Sequence, residues 1–522
     1  MCCPYSFKER QVETMQTLRS HFTLATLKIA FFTISLIIAA IAFFVGLFAI
    51  VNHRDTLLQI IFFSVTFGSF VFSIITAFPQ VVPPVQVFWR ALLYTIMVLI
   101  VLTASCLIPL VTLAFQEPII KIGVSLPFSS EDEPDATPIF NAIQLAMRNV
   151  TDNGKLGNYT IRLVPFDDRD VENNKVQRVD DNGKSINNIG IEDFTNITND
   201  AQIAAIIGPF NSGKAIYEIP PTTKASIALF SPATTADCLT MLNNVKNDVA
   251  CQFKDLDKNK ETTFFRMPAP DSMRAEVLVN YFWKEKIGLR QREAGKDAVI
   301  FNDRSVFGRN FANQLREVWK KKMQKDAIVV DLTNPQADLK KLKTKPDVIL
   351  YAGTGSGSIQ LYNAMKDTGY ADTAFAASAT IMRGGLADAS ARGDIYAASP
   401  YNFEHSEEYN KFFASYKTKY RNEPTPYSAS AYDTTRILLK SIEKAMQFHN
   451  PPVATLDILS QAGPFRTTII NNLRRVNNGG IDYTGITGTY HFEHGDAKKS
   501  AHDQYITIFK YTGKENLWEP VS

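Results

Sequence analysis

Three short segments of this 522-residue chain place reactive side-chain types at suggestive spacings. Gly208-Pro-Phe-Asn-Ser-Gly213-Lys214-Ala215 matches Gly-x-x-x-x-Gly-Lys after an apolar run, the spacing of a phosphate-cradling loop. That chemistry needs a Ser or Thr hydroxyl after the lysine to hold Mg²⁺, and Ala215 supplies none, so nucleotide binding is set aside. What remains is a strand-to-helix turn with Asn211-Ser212-Gly213 at its tip, whose backbone N–H groups favour an anion, a carboxylate above all. Gly353-Thr-Gly-Ser-Gly357-Ser follows a second apolar run. It lacks the spacing and the downstream acid of a dinucleotide loop and reads as a close-approach turn facing a cleft, with Thr354 as a candidate contact. In His491-Phe-Glu-His494 the two imidazoles would point to opposite faces of a strand, and the spacing fits no zinc motif, so no metal is expected. No Gly-x-Ser-x-Gly elbow is present and the few histidines have no acid and nucleophile around them. Neither catalysis nor a cofactor is expected.

The charge is unevenly spread. Residues 1–116 hold Lys8, Arg10, Arg19, Lys28, Arg54 and Arg90 against Glu9, Glu13 and Asp55, so the formal net charge of +3 sits there and the remainder is neutral. A neutral domain without a basic stripe is a poor partner for nucleic acid.

Three uncharged apolar runs, 29–51, 57–78 and 91–115, each have the roughly 20 residues that a helix needs to cross a bilayer. The first exceeds the apolar core of a signal peptide and no small-residue cleavage site follows it. The tail (1–28) and the 79–90 loop outnumber the 52–56 loop in Lys and Arg by five to one, so the tail is expected in the cytoplasm and everything after Phe115 outside it. Leu102-Thr-Ala-Ser-Cys106 resembles a lipoprotein cleavage site, but apolar sequence follows it, which argues against lipidation. Cys238 and Cys251 are the two cysteines beyond the runs; they can close a disulfide loop in an oxidising compartment or stay as two thiols.

From Ile119 onward, short runs rich in Val, Ile, Leu and Ala alternate with helical spacing. The runs are 119–127, 159–168, 201–210, 225–232, 297–303, 326–332 and 346–353, and 140–150 shows a helical repeat. Such alternation means parallel sheets covered by helices on both faces, and the number of strands calls for two lobes. The stretches around 170–200 and 239–262 read as surface insertions. Ligands of open α/β sheets sit beyond the carboxyl ends of the strands.

In order, KIGVSLPFS (121–129), Asp167-Asp168, IAAIIGPFNSG (203–213), SPATTADCLT (231–240), FFRMPAPD (264–271), VIFNDRSVFGRNF (299–311), PDVILYAG (346–353), AYDTTRILLKSI (431–442) and YTGITGTYHFEHGD (483–496) resemble the type I periplasmic binding fold. The likeness is closest to the leucine/isoleucine/valine-binding proteins of ABC importers and covers nearly all of 119–522. It implies two Rossmann-like lobes joined by three crossovers, lobe 1 from about 118–266 plus 405–445 and lobe 2 from about 267–400 plus 450–522. It also implies a solute carboxylate held by the Ser212 hydroxyl, the Thr234 backbone N–H and the Thr235 hydroxyl. Ser129 and Phe307 are expected to line the cleft, Phe307 where the family often has tyrosine. The family's ammonium-binding glutamate falls at Ala379, so either another acid serves, Asp303 or Asp433, or the solute is not an α-amino acid.

The sequence therefore predicts a membrane-anchored, extracytoplasmic solute-binding protein that closes on a small carboxylate-bearing ligand for ABC-type uptake, with a permease as partner. The alternative is a receptor that signals through partner membrane proteins.

Overall fold

The computed structural model describes residues 119–521, except 131–132, 152–153, 170–174, 181–183, 185–191, 241–252, 254–255, 257–260, 286, 288–296, 354–356, 384–393, 402–405, 450–457, 500–505 and 514–517. The three expected membrane runs and the tail lie outside the described residues. Among the described residues no helix is long and apolar enough to cross a membrane.

The apolar runs become strands: β1 (Ile119–Leu126), β2 (Lys155–Leu156), β3 (Tyr159–Asp167), β4 (Lys175–Arg178), β5 (Glu192–Asp193), β6 (Ile203–Ile207), β7 (Ala228–Ser231), β8 (Phe264–Arg266), β9 (Ala298–Asn302), β10 (Ile328–Asp331), β11 (Val348–Ala352), β12 (Ala374–Ser378) and β13 (Ile395–Ser399). Five more follow: β14 (Thr484–Gly485), β15 (Gly488–Glu493), β16 (Asp496–Lys499), β17 (Thr507–Tyr511) and β18 (Trp518–Pro520). The helices are α1 (Glu133–Val150), α2 (Phe194–Thr198), α3 (Ser212–Lys224), α4 (Asp271–Lys284), α5 (Val306–Met323), α6 (Pro335–Lys340), α7 (Gly357–Asp367), α8 (Glu407–Tyr420), α9 (Pro426–Met446) and α10 (Ile458–Arg474).

Two sheets result. The first runs β14-β15-β16-β8-β7-β6-β1-β3-β4-β5, with β2 beside β3; the second runs β10-β9-β11-β12-β13-β17-β18. Their centres are parallel, and every residue of β6, β9, β11, β12 and β13 is buried, as continuous apolar runs between two helical layers must be. Alternate residues feed opposite cores. Ile120, Ile122 and Val124 pack with α1 and α9 on one face of the first sheet, while Phe166, Ile206 and Leu229 pack on the other. Ile300 and Leu350 face the core under α4 and α5; Val299, Phe301 and Ile349 face the core under α7. Both sheets are mixed, not purely parallel: β3–β4, β15–β16, β13–β17 and β17–β18 pair antiparallel at the margins.

The chain passes between the sheets three times, after β8, after β13 and after β16. This corrects the expected lobe boundaries, because residues 484–499 belong to the first sheet and only β17 and β18 of the C-terminal stretch join the second. Two contacts fix that placement. β16 lies parallel to β8 with Asp496 beside Arg266, and these two make a buried ion pair, Arg266 Nε to Asp496 Oδ1 at 2.6 Å. In addition, Phe492 of β15 packs edge-on against Phe230 and Phe265 of the first core. Within the expected insertion at 170–200, residues 175–178 and 192–193 join that sheet as β4 and β5. Cys238 is buried and disulfide-bonded; Cys251 lies outside the described residues.

Candidate functional site

Between the lobes, at the carboxyl ends of their parallel strands, lies a small cavity. Phe210, Asn211, Ser212, Ala233, Thr235 and Tyr427 line it from the first lobe, and Arg274, Phe307, Ser378 and Thr380 from the second.

The first-lobe side is set by the turn after β6. Gly208 has φ +128°, and a Cβ there would lie 2.2 Å from the Ser125 carbonyl oxygen, so glycine alone lets β6 turn against β1. Asn211 is then the N-cap of α3, whose first residue is Ser212. The Ser212 Oγ accepts from the Ala236 N–H at 3.4 Å, tying the helix start to the turn after β7. That turn is held by Ser231, whose Oγ donates to the Pro209 carbonyl at 2.8 Å and accepts from the N–H groups of Ala233 (3.1 Å) and Thr234 (2.9 Å). Two further hydroxyls, Ser430 at 2.9 Å and Tyr401, donate to the Pro232 carbonyl. Thr235 is thereby aimed at the cavity.

On the other side, Ser305 caps α5 by accepting from the Gly308 N–H at 2.9 Å, which presents Phe307, stacked on Phe311 with centroids 5.8 Å apart. Ser378 ends β12; its Oγ donates to the Gly353 carbonyl at 3.1 Å and lies 2.7 Å from the Thr380 Oγ1. Arg274, on the first turn of α4, is 1% exposed. Its Nη2 pairs with Asp271 Oδ1 and lies 3.5 Å from Thr235 Oγ1, and its guanidinium sits 4.0 Å over the Phe311 ring and 5.1 Å from Phe307. Burial pushes the Asp271 carboxyl up to about 6, against the pull of Arg274.

Of the residues expected from the sequence, Ser212, Thr235 and Phe307 meet in this cavity, and Ser129, Thr234 and Ala379 are not in its lining. Thr354 lies outside the described residues. Ser129 is exposed and its hydroxyl donates to Asp167 instead. The Thr234 N–H, expected on a carboxylate, is occupied by Ser231 Oγ, and Thr234 is buried outside the lining. Ala379 is buried but is not in the lining, which takes its neighbours Ser378 and Thr380.

Neither alternative acid lines the cavity among the described residues. Asp433 is buried against β14–β15 and accepts from Tyr483 OH (2.6 Å), the Ile486 N–H (3.1 Å), the Thr487 N–H (2.8 Å) and the Thr487 hydroxyl. Asp303 accepts from the Ser305 N–H at 3.0 Å and its hydroxyl at 2.6 Å, holding the start of α5. Sequence reasoning assigned no site role to Arg274, Tyr427, Phe210, Ala233, Ser378 or Thr380. The first carried a signal: an arginine three residues after an aspartate at the start of a helix entering the second lobe.

The lysine of the phosphate-loop lookalike is turned into the protein, near the Glu218 and Asp168 carboxyls, and does not line the cavity. Lys214 is fully buried and its Nζ donates to the Lys175 carbonyl at 2.7 Å. Beneath it Ser125 Oγ donates to Glu218 Oε1 at 2.6 Å and lies 3.4 Å from Asp168 Oδ2. Burial pushes Glu218 up to about 7, and burial with the neighbouring Glu218 raises Asp168 strongly. In the imidazole pair, His491 lies 3.3 Å from its own strand's Glu493, while His494 sits in the turn after β15 with φ +53°.

A model of the periplasmic binding protein family matches residues 119–478, most of the chain. The chain belongs to the periplasmic binding protein family. Among solved members, the branched-chain amino acid transporter substrate-binding protein LivJ of Streptococcus pneumoniae, in complex with isoleucine, is 19% identical. The match covers 77% of this chain and 99% of that one, with a TM-score of 0.55. The leucine-binding protein LivK of Thermotoga maritima is 17% identical over 77% and 98%, with a TM-score of 0.56. An ABC transporter solute-binding protein from R. palustris, in complex with benzoate, is 13% identical over 77% and 96%, with a TM-score of 0.54. At these identities the likeness is one of fold, the type I periplasmic binding protein fold. Comparison with curated protein sequences gives no match.

Proposed function

We propose that this periplasmic binding protein is a membrane-anchored, extracytoplasmic receptor for a small carboxylate-bearing solute, which it captures between its lobes for ABC-type uptake. One observation carries the solute part: hydroxyls of Ser212 and Thr235 from one lobe face Phe307, Ser378 and Thr380 from the other across a single cavity at the strand ends. Hydrogen bonds to a charged group are worth about 1.5–3 kcal/mol each, so two hydroxyls suffice to orient a carboxylate. Isoleucine and benzoate, the ligands bound by two solved members, share a carboxylate and little else. The anchor rests on the three apolar runs before residue 116 and the Lys/Arg bias around them. The disulfide at Cys238 supports an oxidising compartment.

A thermal-shift screen of the full chain in detergent against amino acids and simple carboxylates tests the solute reading. A ligand at 100 times its dissociation constant raises stability by ~2.7 kcal/mol. No stabilisation by any carboxylate would refute it. For the anchor, a membrane-impermeant thiol label should reach cysteines introduced beyond residue 120 in intact cells and should not reach one placed at Ser6. Labelling at Ser6 alone would reverse the orientation.

A further inference from the structure

Resting on that reading, the cavity's charge narrows the class of solute. Arg274 is the one charged residue in the described lining, and no acid accompanies it there. Its partner Asp271 is fully buried on the same helical turn, outside the lining, and occupies Nη2. The Arg274 Nε–H is buried without a hydrogen-bond partner, and Asp271 Oδ2 likewise. The guanidinium is pinned by two aromatic rings and one carboxylate oxygen, its Nη2 lies 3.5 Å from the Thr235 hydroxyl, and it enters the lining as a fixed cation, the group that binds carboxylates best. The opposite requirement goes unmet. An α-ammonium group brought into this cleft would meet a fixed cation and, in the described lining, only the Ser378 and Thr380 hydroxyls; Asp271 stands behind Arg274, fully buried and outside the lining, and a buried unpaired charge is strongly disfavoured. Phe210, Phe307 and Tyr427 supply apolar and aromatic surface for the body of the solute.

We propose that Arg274 selects the charge of the solute: the cleft takes a carboxylate that carries no α-amine, with an apolar or aromatic body, and the guanidinium binds that carboxylate together with Ser212 and Thr235.

The test uses matched pairs that differ only in the amine: 4-methylpentanoate against leucine and 3-phenylpropanoate against phenylalanine, with benzoate added. Each is titrated calorimetrically into the full chain in detergent. The expected result is that an amine-free acid binds at least tenfold more tightly than its amino acid. Arg274→Gln should weaken the acid tenfold or more and shrink that ratio, and Arg274→Lys should restore part of both. Because Arg274→Gln strands the buried Asp271, the double variant Asp271→Asn/Arg274→Gln, which removes both charges together, provides the same comparison in a chain with no orphaned carboxylate. Amino acids binding as tightly as their amine-free partners, or an unchanged ratio in the double variant, would overturn this inference and leave the solute-binding reading standing. Failure of every acid and every amino acid to bind would overturn both.

Discussion

The backbone N–H of Asp237, in the first lobe, donates to the side-chain Oδ1 of Asn310, in the second, at 3.2 Å. The bond spans the cleft and can exist only while the lobes are together. Separating the two residues would break it, so the bond favours the closed arrangement.

Asn310→Ala should therefore favour the open form. One neutral hydrogen bond is worth about 0.5–1.5 kcal/mol, so solute affinity should fall roughly 2- to 10-fold. Small-angle X-ray scattering without solute should show a larger radius of gyration than the wild type. Unaltered scattering and affinity would mean that this contact does not govern closure.

Ser212→Ala should weaken solute binding by about 10- to 100-fold, the loss of one hydrogen bond to a charged group. Its effect on solute-free stability should be small, since the bond it makes within the protein, from the Ala236 N–H, is long at 3.4 Å. Calorimetric titration beside thermal melting separates the two quantities. Undiminished affinity would remove Ser212 from the site.

Much of this arrangement could be read from sequence, for a physical reason. The strands before Ser212, Thr235 and Phe307 are continuous apolar runs, and a run followed by a polar turn and a helix announces a carboxyl end whatever its surroundings. Arg274 could not be placed that way. Its meaning comes from Thr235, 39 residues earlier, and from the Phe311 ring on another helix. The lobe assignment of 484–499 failed similarly. A short hairpin carries no local sign of which sheet edge it will join, and the deciding partners, Arg266 and Asp496, are 230 residues apart. Ala379 follows the last residue of β12, and the cavity takes its neighbours Ser378 and Thr380, a choice made by the turn after the strand that the sequence does not spell out.

The Glu218 carboxyl, pushed up to about 7 by burial, makes stability depend on pH. With its folded value above the ordinary 4.5, the native state holds the proton more tightly than the unfolded chain does, so stability should fall as pH rises from about 4.5 to 7. Glu218→Gln cannot ionise and should flatten that decline. At pH 8 the variant should melt higher than the wild type, by on the order of 1–3 kcal/mol, with little difference at pH 4.5. Parallel melting curves across pH would show that Glu218 does not titrate there.

Asp433→Ala should cost about 3–5 kcal/mol of stability, because it leaves the Tyr483 hydroxyl and the Ile486 and Thr487 donors buried without their acceptor. Solute affinity of the folded fraction should be unaffected. Loss of affinity without loss of stability would return Asp433 to the binding site.

The order in which strands leave the ribosome differs from the order in which they lie in the first sheet. β8 emerges early, but β16, which flanks it, is made only after the five strands β9–β13 of the other lobe. Until then the Arg266 guanidinium, fully buried in the finished protein, has no carboxylate from Asp496. A polypeptide truncated at residue 478, where the family match ends, would leave this guanidinium with the Ala236 carbonyl and the Thr240 hydroxyl but without its ion-pair partner. The first lobe is therefore not a unit that can mature on its own during synthesis. Its completion waits for the second, and a nascent chain would need its exposed sheet edge shielded in the interval.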